Sequence, residues 1–97
     1  MDRYLLQLAA LRALNDDLRT QFRGGEIVVS EEAKELGHVL VAHALIAMTE
    51  ATEFDDIERS AGKFRFCART FRWSISYGSS PDPTNAKLTK RELHLRL

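Results

Sequence analysis

Residues 62–78, GKFRFCARTFRWSISYG, alternate between two classes of side chain with a period of two. In a strand, successive side chains point to opposite faces, so this pattern belongs to half-buried β-strands and not to a helix. In the first run Phe64, Phe66 and Ala68 share one face, and Arg65, Cys67 and Arg69 the other. In the second, Phe71, Trp73, Ile75 and Tyr77 oppose Arg72, Ser74 and Ser76, with CARTF as a short turn between the runs. The final run, TKRELHLRL, alternates again, with Leu93, Leu95 and Leu97 inward and Glu92, His94 and Arg96 outward.

The remaining elements have other periods. Tyr4, Leu5, Leu8, Leu11, Leu18 and Phe22 recur at three- and four-residue intervals, which predicts an amphipathic helix over 2–22. Asn15 falls on that stripe, and a buried amide there needs a partner. Gly24 and Gly25 are expected to end the helix, because glycine takes the left-handed conformation at little cost. Glu26 to Val29 is β-branched and predicts a strand. Ser30 then predicts an N-cap, with Glu31 and Glu32 favoured in the first turn by the helix dipole. Gly37 divides the following helix into pieces near 33–36 and 38–53. The second piece is apolar on nearly every side, so it is either central or has a second partner, such as another copy of the chain. The segments DDIERSAG and GSSPDPTN read as loops.

The order helix, strand, helix and three strands predicts an α+β fold. Two main helices are expected on one face of an antiparallel sheet of about four strands, the other face being wet or met by a partner. A chain of 97 residues suits one domain, 1–97. Its 44% apolar and 29% charged residues place it among globular domains. The longest apolar stretch, Val39 to Met48, is too short to span a bilayer. The single cysteine excludes an internal disulfide framework, and the N-terminus lacks a signal-peptide pattern. The expected location is therefore cytoplasmic, with no membrane contact.

Net charge is zero but unevenly spread. Residues 1–58 carry five basic and twelve acidic groups, a net of −7, and residues 59–97 carry nine basic and two acidic groups, a net of +7. The wet sheet face is expected to collect Arg65, Arg69, Arg72, Lys90, His94 and Arg96. Such charge could neutralise nucleic-acid phosphates. Readers of single strands also need aromatics on the same face, and here the alternation sends Phe64, Phe66, Phe71 and Trp73 to the core side. An acidic partner therefore suits the arginines better than stacked bases, and nucleic acid is the alternative. A second candidate contact is the acidic loop containing Glu53, Asp55, Asp56 and Glu58.

No reaction is written in the chain. Cys67 would lie between two arginines, which favour a thiolate, with His94 as the only base on that face. Nothing in the sequence brings the two within reach, and an incidental cysteine is the simpler reading. His38 and His43 are five apart, not four, so they diverge around a helix and make no metal motif. The acidic loop lacks the glycine and ligand spacing of a calcium site. No catalytic residues, metal or cofactor are expected.

Several segments taken together resemble a known family. LRALNDDLRTQFRGGEIVVSEEAKELG, FRWSISYG and SPDPTNAKLTKRELHLRL resemble an uncharacterised bacterial family, domain of unknown function 3768. The matching features are Ala13 to Asp16, Gly24-Gly25, Ile27 to Val29, Ser30, Phe71 to Trp73 and Asp82-Pro83. The likeness weakens between about His38 and Lys63. It implies no activity or cofactor. It implies a bacterial mobile element, a phage or plasmid, whose small proteins often block host defence complexes as anti-CRISPR proteins do. The expectation is a non-enzymatic inhibitor that contacts a host protein or ribonucleoprotein complex through Arg65, Arg69, Arg72 and Arg96, or through the acidic loop. A homodimer through the 38–53 helix accompanies that expectation.

Overall fold

A computed structural model describes residues 3–78 and 90–97. Its elements are α1 (Arg3–Gln21), β1 (Glu26–Val29), α2 (Glu31–Lys34), α3 (His38–Thr49), β2 (Ala61–Phe66), β3 (Arg69–Tyr77) and β4 (Arg91–Arg96). The expected α+β order stands. The expected GSSPDPTN loop falls almost wholly outside the described residues.

The sheet is mixed, not antiparallel. Its order is β1-β4-β3-β2, with β2–β3 and β3–β4 antiparallel and β1 parallel to β4. Hairpin spacing correctly joins β2 to β3, but it says nothing about where β1 docks. A parallel partner needs a long crossover, and the chain between β1 and β4 supplies one. Ser30 extends that junction by donating its amide to the Leu95 carbonyl at 2.9 Å.

One face of the sheet carries Phe71, Trp73, Ile75, Leu93 and Leu95, all buried with Leu18, Ala44 and Met48 from the helices. Phe64 stacks on Phe71 with ring centroids 5.4 Å apart, and Phe54 meets Trp73 edge-on at 6.0 Å. The backbone must come close here. A Cβ on Gly62 would sit 2.5 Å from the Glu53 carbonyl oxygen and 2.8 Å from the Trp73 ring, so only glycine fits.

The capping prediction at Ser30 holds, its hydroxyl accepting from the Ala33 amide at 3.2 Å. The stop of α1 differs from expectation. Phe22, not glycine, takes the left-handed conformation (φ 56°), and its amide closes on the Leu18 carbonyl at 3.1 Å. Gly24 turns the chain at φ 83°, and Gly25 packs against the Arg91 backbone.

The expected stripe on α1 is only partly used. Leu18 is fully buried, Leu8 and Leu11 are half-buried, and Tyr4 and Leu5 are exposed. Asn15 is buried on this stripe and finds its partners. Its amide donates to the Tyr77 hydroxyl at 2.9 Å and to the Glu58 carbonyl at 3.0 Å, and its oxygen accepts from Arg91 Nε at 3.2 Å.

Candidate interaction face on the open sheet

Both main helices lie on one side of the sheet, so the other side is bare. Strand pairing assigns its residues without ambiguity, because directly opposed residues share a face. Lys63 pairs with Arg72, and Arg72 with Arg96, so three cations stand in one row across β2, β3 and β4. Neighbouring strands are about 4.8 Å apart, so the row spans roughly 10 Å. All three side chains are exposed, and none has an ion-pair partner among the described residues. Arg65 stands beside the row on β2 and reaches the Thr70 hydroxyl at 3.4 Å.

The face changes character along the strands. Next to the cationic row comes Ala61, Ser74, His94 and Val28, and beyond it Ser76, Glu92 and Glu26. His94 lies 3.2 Å from the Ser76 hydroxyl and 3.6 Å from Glu92. The positive end is therefore the end near the β2–β3 turn, and the acidic end lies over β1 and the start of β4. Like charges placed directly opposite in a sheet repel. Three in a row, with no acid between them, form an arrangement that folding alone does not favour.

Of the residues expected on this face, Arg65, Arg72 and Arg96 are there, with His94 beside them. Lys90 precedes β4 and is exposed. Arg69 is not with them. It pairs with Phe66, which puts it on the helix side of the sheet at the hairpin tip, where it is exposed. The error lies in counting the alternation straight through the turn. Cys67 and Ala68 form a two-residue turn with φ of 51° and 61°, so neither belongs to a strand face. Cys67 is an exposed thiol at the tip, remote in register from His94, which pairs with Ser74.

Sequence reasoning missed two cations that the same alternation could have found. Lys63 has the parity of Arg65 and completes the row. Arg91 has the parity of Leu93 and turns inward, where it is only 4% exposed. Its guanidinium lies over the Tyr77 ring at 5.6 Å, and burial holds its pKa below the usual arginine value. Arg19 on α1 is likewise buried, stacked on Phe54 at 4.7 Å and Trp73 at 5.4 Å. Burial lowers its pKa and the nearby Asp16 opposes that shift.

The acidic loop is bound into the fold. Asp56 accepts from the Ser60 amide at 2.8 Å and from its hydroxyl, and the Glu58 carboxylate accepts from the Tyr77 hydroxyl at 3.3 Å. Arg59 bridges to Asp16 at 2.8 Å while lying over the Phe54 ring at 5.3 Å. Asp56 and Glu58 therefore hold the loop, while Glu53 and Asp55 keep exposed side chains. These contacts tie the loop to the helix side of the sheet, while Glu53 at its start lines a cleft at the β2 edge together with Glu50, Lys63 and Arg65.

Among the described residues no group of three His, Cys, Asp or Glu is placed to hold a metal ion, and no helix is long and apolar enough to cross a membrane. No family model matches the chain, and no match to a curated protein or a solved structure is found.

Proposed function

We propose that the chain is a non-enzymatic interaction domain that sets its open sheet face against an acidic surface of a host protein or ribonucleoprotein complex. The observation that carries this reading is the row Lys63–Arg72–Arg96, flanked by Arg65, exposed and without an ion pair among the described residues. Exposed charge of this kind steers association and selects a partner of opposite sign. The sheet's aromatic side chains Phe64, Phe66, Phe71 and Trp73 share the opposite face, so the row has no platform on which to stack bases. The inhibitory role, with an anti-CRISPR as its most concrete form, rests on the resemblance to the mobile-element family and on small size.

The test is a nuclease-treated pull-down from a bacterial host lysate at low salt, comparing the native chain with Lys63→Glu plus Arg72→Glu. The expected result is a protein partner that the charge reversal loses. Recovery of no partner rejects the reading. The like-charge row also supports a second reading, a phosphate backbone. Titration with labelled RNA and DNA at two salt concentrations separates the two. Salt-sensitive binding that the same reversal abolishes would replace an acidic protein with nucleic acid as the partner.

A further inference from the structure

We propose that the free half of the β2 edge takes up an extended segment of a partner protein as an added strand, its acidic residues alternating with apolar ones. Among the described residues β2 is an edge strand, paired on one side only. In an antiparallel pair, residues alternate between facing their neighbour and facing away from it. Phe66 and Arg69 close the two-residue turn and face each other. With the same parity, the Ser60 carbonyl accepts from the Ile75 amide at 2.6 Å. The backbone amides and carbonyls of Ala61, Lys63 and Arg65 therefore point outward.

The chain itself covers only the start of this edge. Phe54 bridges to Gly62, and the Asp55 amide donates to the Ala61 carbonyl at 2.9 Å. Further along, residues 50–53 stand off from the strand. They leave a cleft of about 550 Å³ with Glu50 and Glu53 on one wall and Lys63, Phe64 and Arg65 on the other. Among the described residues no backbone hydrogen bond crosses the edge to Arg65. Outward amides and carbonyls of this kind are a template for another strand, whose main chain supplies affinity and whose alternate side chains supply specificity.

Charge and parity set the chemistry of the occupant. Lys63 and Arg65 lie on the open face of the sheet, and Phe64 and Phe66 on the helix side. An added strand alternates in the same way, and its side chains pair with those directly beside them. On the open face they meet two cations that make no ion pair among the described residues, so acidic residues fit there. On the helix side they meet phenylalanine, so apolar residues fit there. Cations along an edge also turn away neutral and basic strands. The carboxylates of Glu50 and Glu53 in the same cleft disfavour a tract that is acidic at every position. This strand addition rests on the reading of the basic face as the contact for an acidic partner, and gives that partner its form.

Fluorescence anisotropy on the full chain, with labelled and end-blocked peptides of equal length, tests the added strand. A peptide alternating Glu and Val is expected to bind more tightly than one made of Glu alone, and a peptide alternating Lys and Val is expected not to bind. Methylating one alternate set of backbone nitrogens in the Glu-Val peptide is expected to weaken binding about tenfold or more, and methylating the other set to leave it unchanged. Arg65→Pro removes an edge donor that β3 does not use, and is expected to bind the peptide more weakly than Arg65→Ala, which removes the charge alone. The methylated peptides need no variant of the protein, so the outcome does not depend on the proline chain folding. Tighter binding of the all-Glu peptide, or equal effects of the two methylated sets, overturns the added strand. Neither result touches the basic face, which the pull-down with Lys63→Glu plus Arg72→Glu tests separately.

Discussion

Arg91 Nε donates to Asn15 Oδ1 at 3.2 Å, joining residues 76 positions apart in the chain. Asn15 in turn donates to Tyr77 and to the Glu58 carbonyl, so one amide ties α1, the loop before β2, β3 and β4 together. A leucine at position 15 would fill similar volume but leave the Tyr77 oxygen and the Glu58 carbonyl without this donor and Arg91 without this acceptor. Asn15→Leu is expected to destabilise the fold by about 2–3 kcal/mol, the scale of stranded buried polar groups. Urea unfolding measures it, and a loss below about 0.5 kcal/mol would show that the node is dispensable.

Removing a cation from the row should separate stability from binding. Arg72 stands between Lys63 and Arg96, so Arg72→Thr relieves two like-charge contacts and places a β-branched residue on a strand. The variant is expected to be more stable by about 0.5 kcal/mol at low salt, the gain shrinking as salt screens the row. The same variant is expected to bind its acidic partner more weakly. Thermal melts at two ionic strengths, run beside the pull-down, check both effects.

The β2–β3 turn holds an alanine and a cysteine where the backbone favours Asn-Gly. Both residues have positive φ, 51° at Cys67 and 61° at Ala68. Two-residue hairpin turns of this kind prefer Asn followed by Gly, which occupy that region with little strain. Cys67→Asn with Ala68→Gly is expected to stabilise the fold by about 1 kcal/mol, raising the melting temperature by roughly 4–8 °C. Calorimetry reads the shift, and an unchanged or lower melting temperature would contradict the turn geometry.

Tyr77 makes stability depend on alkaline pH. Burial raises its pKa above the ordinary 10.0, while the Asn15 amide bond opposes the shift. A phenol whose folded pKa is raised holds its proton more tightly in the folded state. Its contribution is complete below the unfolded pKa and is lost as pH climbs from there through the folded value. Stability is expected to fall above about pH 10, and Tyr77→Phe is expected to flatten that fall. Denaturant midpoints measured from pH 8 to 11 in both chains test the assignment.

Much of the architecture is legible because it is local. The Ser30 cap, the short strand after Gly25, the division near Gly37 and the paired runs of β2 and β3 each follow from backbone preferences within a few residues. The faces of β3 and β4 follow from counting by two. The same rule fails at Arg69, because two turn residues reset the register, and the expectation of a glycine stop fails at Phe22, where the chain turns left-handed without one. Asn15 could be recognised as needing partners, but not which ones, since they arrive from the far half of the chain.

The sequence by itself determined the periods: which stretches coil, which extend, and which side chains share a face within each stretch. These depend on φ and ψ at neighbouring residues and on the pattern of apolar groups. Only the tertiary structure decided which elements meet. It set β1 parallel beside β4, brought Lys63, Arg72 and Arg96 into one row, turned Arg91 inward onto Asn15 and Tyr77, tied Asp56 into its own loop and joined Glu58 to Tyr77. Such pairings are chosen by closing the core as a whole. Their energies come from burial and hydrogen bonds between residues tens of positions apart, and no local period encodes them.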